Sequence, residues 1–267
     1  MSVTMSDVAH LAGVNKATVS RALKGDPRIS VATREKVWKA AKTLGYEPDA
    51  VARVLSTHTS DLVGVIFNSL SEPWTGVFLA GLERVLLRHR VEMIVKSTSG
   101  KDEQSHNVLK ALRSRRADGL IWVDPPSSLK IDLPLVSVGR VLENGFSIVL
   151  NLGSLCEKLG SLSQSPWSLC FLEKSTFLDS FMKQLTEFPH PVAKRFQILD
   201  QGQKASTKSP ILYISTLPPN PQDNGYFLHI PFFELGAIAG RVFLNSLQDR
   251  GVRPVNVLMT PTVALRP

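Results

Sequence analysis

The sequence predicts an α/β protein. Its first 47 residues form a separate all-α helix-turn-helix unit, and a larger domain over 61–267 is built on a parallel sheet. Three observations predict this. Residues 5–45 carry apolar side chains at helical spacing, interrupted at Gly13 and at Gly25-Asp26-Pro27. From Leu62 onward, short continuous apolar runs alternate with amphipathic helical patterns, the signature of βαβ units. A chain of 267 residues that is 43% hydrophobic can bury a core for one large domain and a small one besides.

The first helix is expected to start at Ser6 as cap, with Asp7 suited to the positive end of the helix dipole. Val8, Leu11 and Ala12 are expected on its inner face. Gly13 supplies the turn, since glycine tolerates positive φ. Asn15 caps a second helix from Lys16 to about Leu23, with Val19, Ala22 and Leu23 inward. Ser30 caps a third from Val31 to about Leu44, closed by Gly45, with Val37, Ala40, Ala41 and Leu44 inward and Trp38 at the edge. Two short helices joined by a tight turn and backed by a third make a helix-turn-helix unit. The outward residues of the second helix, Lys16, Ala17, Thr18, Ser20 and Arg21, are short polar or basic groups that suit a DNA major groove. Charge agrees with this reading. Residues 1–60 hold nine basic against five acidic side chains, which is half of the chain's net +8.

Beyond the third helix, Pro48–Ser56 reads as a short, marginal helix capped by Asp49 within a linker over 48–60. Strands are then expected at Leu62–Phe67, Val91–Val95, Gly119–Val123 and Leu135–Val138. Helices are expected from Trp74 to about Arg90 and from Gln104 to Arg116. The first of these turns Phe78, Leu82, Val85 and Leu86 inward.

The run TMSDVAHLAGVNKATVSRALKGDPRISVATREKVWKAAKTLGYEPDAVARVLST closely resembles the DNA-binding headpiece of the LacI/GalR family of bacterial transcription regulators. DVA, AGV, TVSRAL, Ile29-Ser30, TREKV and LGY-x-P carry the likeness, over about 58 residues. The resemblance implies a dimeric, sequence-specific regulator, a repressor acting on a palindromic duplex operator. It implies that Lys16 and Ala17 hold the two main specificity positions and that Arg21 contacts a base. Thr18 and Ser20 would lie near phosphates, and Lys24 and Arg28 on a loop that also meets DNA. Thr4, Ser6 and Asn15 complete the set. In the hinge, Leu55 would wedge into the minor groove and kink it, with Arg53 beside it.

The remainder resembles the family's periplasmic-binding-protein-like effector and dimerisation domain at SRRADGLIWVD, DLPLVSVGR, FFELGAIAGRVFLNSL and VNVLMTPTVALRP. From about Asn151 to Tyr226 the likeness lapses. The stretch is short for the family, which implies a reduced second lobe. Only Ser165–Phe171 and Ile211–Ile214 read as strands there. Residues 189–225, with six prolines, read as loop-rich. Effector sensing is therefore expected to be weakened or altered. Asn68, Trp74, Phe78 and Arg140 are the candidate contacts for a small effector of sugar or nucleobase type. Helix packing is the competing role for Trp74 and Phe78, and an exposed loop position for Arg140.

Other classes find less support. There is no P-loop or GxGxxG, and no Cys/His cluster with zinc spacing, so neither a cofactor nor a metal is expected. An α/β enzyme would have to use Cys156 or Cys170 with His106, His190 or His229, and no catalytic motif surrounds them. A solute-binding protein without a DNA role would leave the basic helical segment unexplained. No signal peptide or membrane-spanning stretch is read, and two cysteines cannot form a disulfide framework, so a reduced cytoplasmic protein is expected.

Overall fold

The computed structural model describes residues 3–23, 26–46, 60–127, 131–142, 145–171, 175–199, 210–214, 225–248 and 255–266. The chain divides into two compact units, Met1–Ser60 and Asp61–Pro267. Each is described by itself.

In the first unit, α1 (Met5–Ala12), α2 (Lys16–Leu23) and α3 (Val31–Leu44) enclose Val8, Ala9, Val19, Ala22, Val37, Ala40 and Ala41. These side chains are all small, so the core is thin and the caps matter. Helix α1 begins two residues earlier than the Ser6 cap predicts. Thr4 is its N-cap, in a capping box with Asp7: the Thr4 amide donates to Asp7 Oδ2 at 2.8 Å, and the Asp7 amide donates to Thr4 Oγ1 at 3.4 Å. Asp7 satisfies the box because it stands three residues after Thr4, which leaves Ser6 exposed inside the first turn. Leu11 is 52% exposed, so Val8 and Ala9 bury where Val8, Leu11 and Ala12 were expected. Gly13 and Gly45 close α1 and α3 at φ 66 and 63, a region that disfavours other residues. Ser30 caps α3, as the sequence predicts.

The second unit holds two sheets. The first is parallel, in the order β10-β5-β4-β3-β1-β2: β1 (Leu62–Phe67), β2 (Glu92–Ser97), β3 (Gly119–Val123), β4 (Leu135–Val138), β5 (Phe146–Leu150) and β10 (Asn256–Met259). Alternate residues serve opposite faces. Val63, Val65 and Phe67 pack under α4 (Trp74–Leu86) and α8 (Phe232–Gln248), while Ile66, Leu120 and Trp122 pack against Leu109 and Leu112 of α5 (Asp102–Ser114). Helix α4 gives way to a 3₁₀ turn at Leu87–His89, short of the predicted end near Arg90.

Helices α4 and α8 touch backbone to backbone. A Cβ placed on Gly81 would lie 1.9 Å from the Phe233 carbonyl oxygen, and one on Gly236 would lie 2.0 Å from that of Phe78. Only glycine permits this approach.

The second sheet runs β11-β9-β8-β6-β7: β6 (Trp167–Phe171), β7 (Phe196–Leu199), β8 (Ile211–Ile214), β9 (Gly225–His229) and β11 (Thr262–Arg266), with β11 antiparallel to β9 and the rest parallel. It packs with α6 (Leu152–Leu162) and α7 (Thr176–Glu187). The loop-rich expectation for 189–225 is thus corrected in part. A 3₁₀ turn at Ala193–Arg195 leads into β7, whose Gln197 and Ile198 are exposed at the sheet edge. Pairing with β6, not an apolar alternation of its own, makes that segment a strand.

The chain passes between the two lobes after β5, after β9 and between β10 and β11. One buried apolar core is continuous through both lobes, from Val63 and Phe78 to Leu169 and Leu212.

Candidate nucleic-acid interface and ligand cleft

Helix α2 is held by groups that leave its outer face free. Asn15 Oδ1 accepts the Thr18 amide at 2.7 Å, so this side chain, a predicted DNA contact, also caps the helix. Val19 and Ala22 are buried. The opposite arc exposes Lys16, Ala17 and Arg21, with Thr18 and Ser20 half-buried at its margins. At 100° per residue, Lys16, Ala17, Ser20 and Arg21 share one face about 140° wide. This is an arrangement able to present two cations and a methyl group to base edges.

In the loop before α3, Arg28 Nη2 lies 2.7 Å from Asp26 Oδ2, and the arginine is 75% exposed. That hydrogen-bonded guanidinium holds the Asp26 carboxyl well below the usual carboxylate range. Arg28 is therefore exposed yet already paired. Arg34 Nη2 donates to the Asp26 carbonyl at 3.2 Å, fixing the loop to α3. Thr4 and Ser6 are exposed at the start of α1. Lys24, Arg53 and Leu55 lie outside the described residues.

The second site is the cleft between the two lobes. In the first sheet the strand order reverses between β1 and β3, and open α/β sheets take ligands beyond the carboxyl ends of such strands. There the chain places Asn68, Glu72 and Trp74 after β1 and Asp124 after β3. Ser175 and Thr176, at the start of α7, come from the other lobe. The four predicted effector contacts are all spoken for within the protein. Trp74 is 3% exposed and Phe78 fully buried. The Trp74 indole stacks on Phe232 with centroids 4.8 Å apart and 18° between planes. It also lies 5.1 Å from the Phe177 ring of the other lobe. Arg140 Nη2 is 3.2 Å from Asp124 Oδ1. Asn68 Oδ1 accepts from Thr98 Oγ1 at 3.3 Å.

Glu72, Asp124, Ser175, Thr176, Gln184 and Phe232 are absent from the predicted contact set. Asp124 could have been found by its place directly after β3. The N-cap serine before Phe177, Leu178, Phe181, Met182 and Leu185, spaced as on one helix face, could have located Ser175 and Thr176. Nothing in the local sequence singles out Glu72.

Among the described residues, no helix is long and apolar enough to cross a membrane. Burial pushes the Cys156 thiol up to about 11, so it is a packing residue rather than a nucleophile. Among the described residues, no group of three or more His, Cys, Asp and Glu side chains is placed to hold a metal ion.

A small helix-turn-helix unit is thus followed by a larger unit of two lobes, one built on a parallel sheet and one on a mixed sheet. Residues 4–49 match the family described as bacterial regulatory proteins, lacI family. The chain is 32% identical over 148 residues to the sucrose operon repressor of Pediococcus pentosaceus, covering 54% of this chain and 45% of that one. It is 35% identical over 147 residues to the HTH-type transcriptional regulator PtxS of Pseudomonas putida, covering 52% of this chain and 43% of the relative. The chain thus spans less than half the length of these curated relatives. Its fold matches the crystal structure of the lac repressor dimer bound to operator and the anti-inducer ONPF, with a TM-score of 0.68 at 18% identity over 100% of this chain and 98% of that one. A LacI-family regulator from Silicibacter pomeroyi matches with a TM-score of 0.65 at 19% identity, over 98% of each chain.

Proposed function

We propose that the protein is a sequence-specific DNA-binding transcription regulator, a repressor, that acts as a homodimer on a palindromic duplex operator and has no catalytic activity of its own. The observation that carries this is the outer face of α2, where Lys16, Ala17 and Arg21 stand exposed on a helix whose other side is locked into the three-helix core. Lys16 and Arg21 read guanine edges, and Ala17 meets a thymine methyl. Thr4, Ser6, Asn15, Thr18, Ser20, Lys24 and Arg28 hold the phosphates and set register, a salt-dependent contribution that carries little sequence information. The basic balance of residues 1–60 supports it. Residues 48–60 act as the hinge, with Arg53 near the minor groove and Leu55 as the wedge that bends the operator centre. The protein works in the cytoplasm, where its DNA is.

The relatives support the same reading, being named as regulators and repressors. The test is titration of an operator fragment by wild type and Arg21→Ala at fixed salt. Arg21→Ala should weaken specific binding by about 1–3 kcal/mol and leave non-specific binding little changed. Equal affinity of the two proteins for operator would remove α2 as the reading helix.

A further inference from the structure

The place where an α/β sheet of this topology takes a ligand is filled by the chain itself. Glu72, only 8% exposed, lies in the loop after β1 and reaches the other lobe. Its Oε2 accepts the Trp74 indole N–H at 2.6 Å and the Ser175 hydroxyl at 2.5 Å. Its Oε1 accepts the Thr176 amide at 3.0 Å and the Thr176 hydroxyl. Three of these four donors belong to the start of α7, so one carboxylate ties the lobes together. A carboxylate has about four lone-pair sites, and all find donors here.

Beside it, Trp74 stacks on Phe232 and meets Phe177 and Phe67, with ring centroids at 4.8, 5.1 and 5.8 Å. Across the cleft, Gln184 Nε2 donates to the Gly139 carbonyl at 2.9 Å. Among the described residues, two cavities of about 10 Å³ each border this place. One is bordered by Asn68, Glu72, Trp74 and Thr176, the other by Gly139, Phe177 and Gln184. Each holds about one water molecule, whereas pockets for organic ligands run to roughly 300 Å³ or more.

We propose that the inter-lobe cleft is a self-occupied site: Trp74 takes the position of a ligand and Glu72 latches Ser175 and Thr176 of the opposite lobe, so that the closed form is held without a small effector. The inference deepens the regulator reading by fixing how its second unit is controlled. Sugars and nucleosides gain no entry, because admitting one means expelling the indole and breaking four hydrogen bonds to a buried carboxylate.

The experiment uses the full chain and two variants. In wild type, a panel of mono- and disaccharides and nucleosides at millimolar concentration, and indole itself, should leave both the melting temperature and operator affinity unmoved. Trp74→Ala opens a dry, indole-shaped space, and indole at about ten times its Kd should raise the melting temperature of that variant by about 3 °C. Should Trp74→Ala not fold, Glu72→Gln keeps the side-chain volume and is read by hydrogen exchange. Exchange of the Thr176 amide should rise at least tenfold while the amides of β1 and β3 keep their protection.

A shift of the wild-type melting temperature by any sugar or nucleoside would overturn the proposal, as would Trp74→Ala that folds but ignores indole. Unchanged Thr176 exchange in Glu72→Gln would also overturn it. Failure of wild type to bind any operator would sink the regulator reading instead, and would leave the thermal and exchange results standing.

Discussion

Replacing Gly236 by alanine tests the packing on which the first lobe of the larger unit depends. The added Cβ would sit 2.0 Å from the Phe78 carbonyl oxygen and 2.9 Å from the Leu82 amide nitrogen. Both obstacles are backbone, so no side-chain rotation relieves them. Restoring ordinary contact requires α4 and α8 to part by about 1.5 Å. That opens the seam over Phe78, Leu82, Ala239 and Phe243, all buried. Overpacking of this kind costs about 1–3 kcal/mol, and more where backbone must move. The better helix propensity of alanine offsets about 1 kcal/mol. The net loss is about 2 kcal/mol, or a fall of about 4–8 °C in the melting temperature of the Asp61–Pro267 unit. Differential scanning calorimetry of the full chain measures it. Gly76→Ala is the matched control, since a Cβ there meets nothing within 4 Å and the residue stands exposed on α4. It should leave stability unchanged or raise it by up to about 1 kcal/mol. If Gly236→Ala melts no lower than Gly76→Ala, the two helices do not approach as closely as described, and the reasoning fails.

Other predictions concern the small unit, the hinge and the thiols. Thr4→Ala removes one half of the capping box and should lower the melting of the helix-turn-helix unit by about 1 kcal/mol, read by circular dichroism. Hydrogen bonds from Thr4 depress the Asp7 carboxyl, and those from Arg28 depress Asp26. Groups lowered on folding stabilise above their unfolded value of 3.8 and lose that contribution as pH falls through the folded one, so the small unit should weaken in acid. Asp7→Asn should flatten that acid loss, and an unchanged acid profile would contradict the capping box. Leu55→Ala should reduce operator bending, measured by fluorescence energy transfer across the site, with little loss of half-site recognition. Cys156 should resist DTNB at pH 8 in the folded protein and react on unfolding, since burial pushes its thiol up to about 11.

Much of the architecture could be read directly from residue patterns. Asn15 and Ser30 cap through a side-chain oxygen and Gly13 and Gly45 through positive φ, local properties that were legible, whereas the Thr4 cap of α1 was not. Strands β3 and β4 match the predicted bounds, since buried parallel strands are continuous apolar runs. Leu11 misled because its spacing fits either edge of the helix, and only the approach of α3 decides which edge is covered. Helix α7 was missed although Phe177, Leu178, Phe181, Met182 and Leu185 carry its period. That stretch departs from the family pattern, so the resemblance implies no helix there. The cleft was legible in position but not in occupancy. Trp74 and Phe78 were weighed as ligand contacts or packing residues, and their burial makes them packing residues. The latch on Glu72 joins residues more than a hundred positions apart, which no local pattern records.

Selection from a random duplex library by the 267-residue chain asks most directly whether α2 reads DNA. Wild type should enrich an inverted repeat with guanine contacts in each half-site. Substitutions at Lys16, Ala17 or Arg21 should change or erase the enriched half-site, while Gly76→Ala leaves it intact. Enrichment of no motif, or of the same motif by wild type and by all three α2 variants, would contradict the assignment of this protein as a sequence-specific regulator.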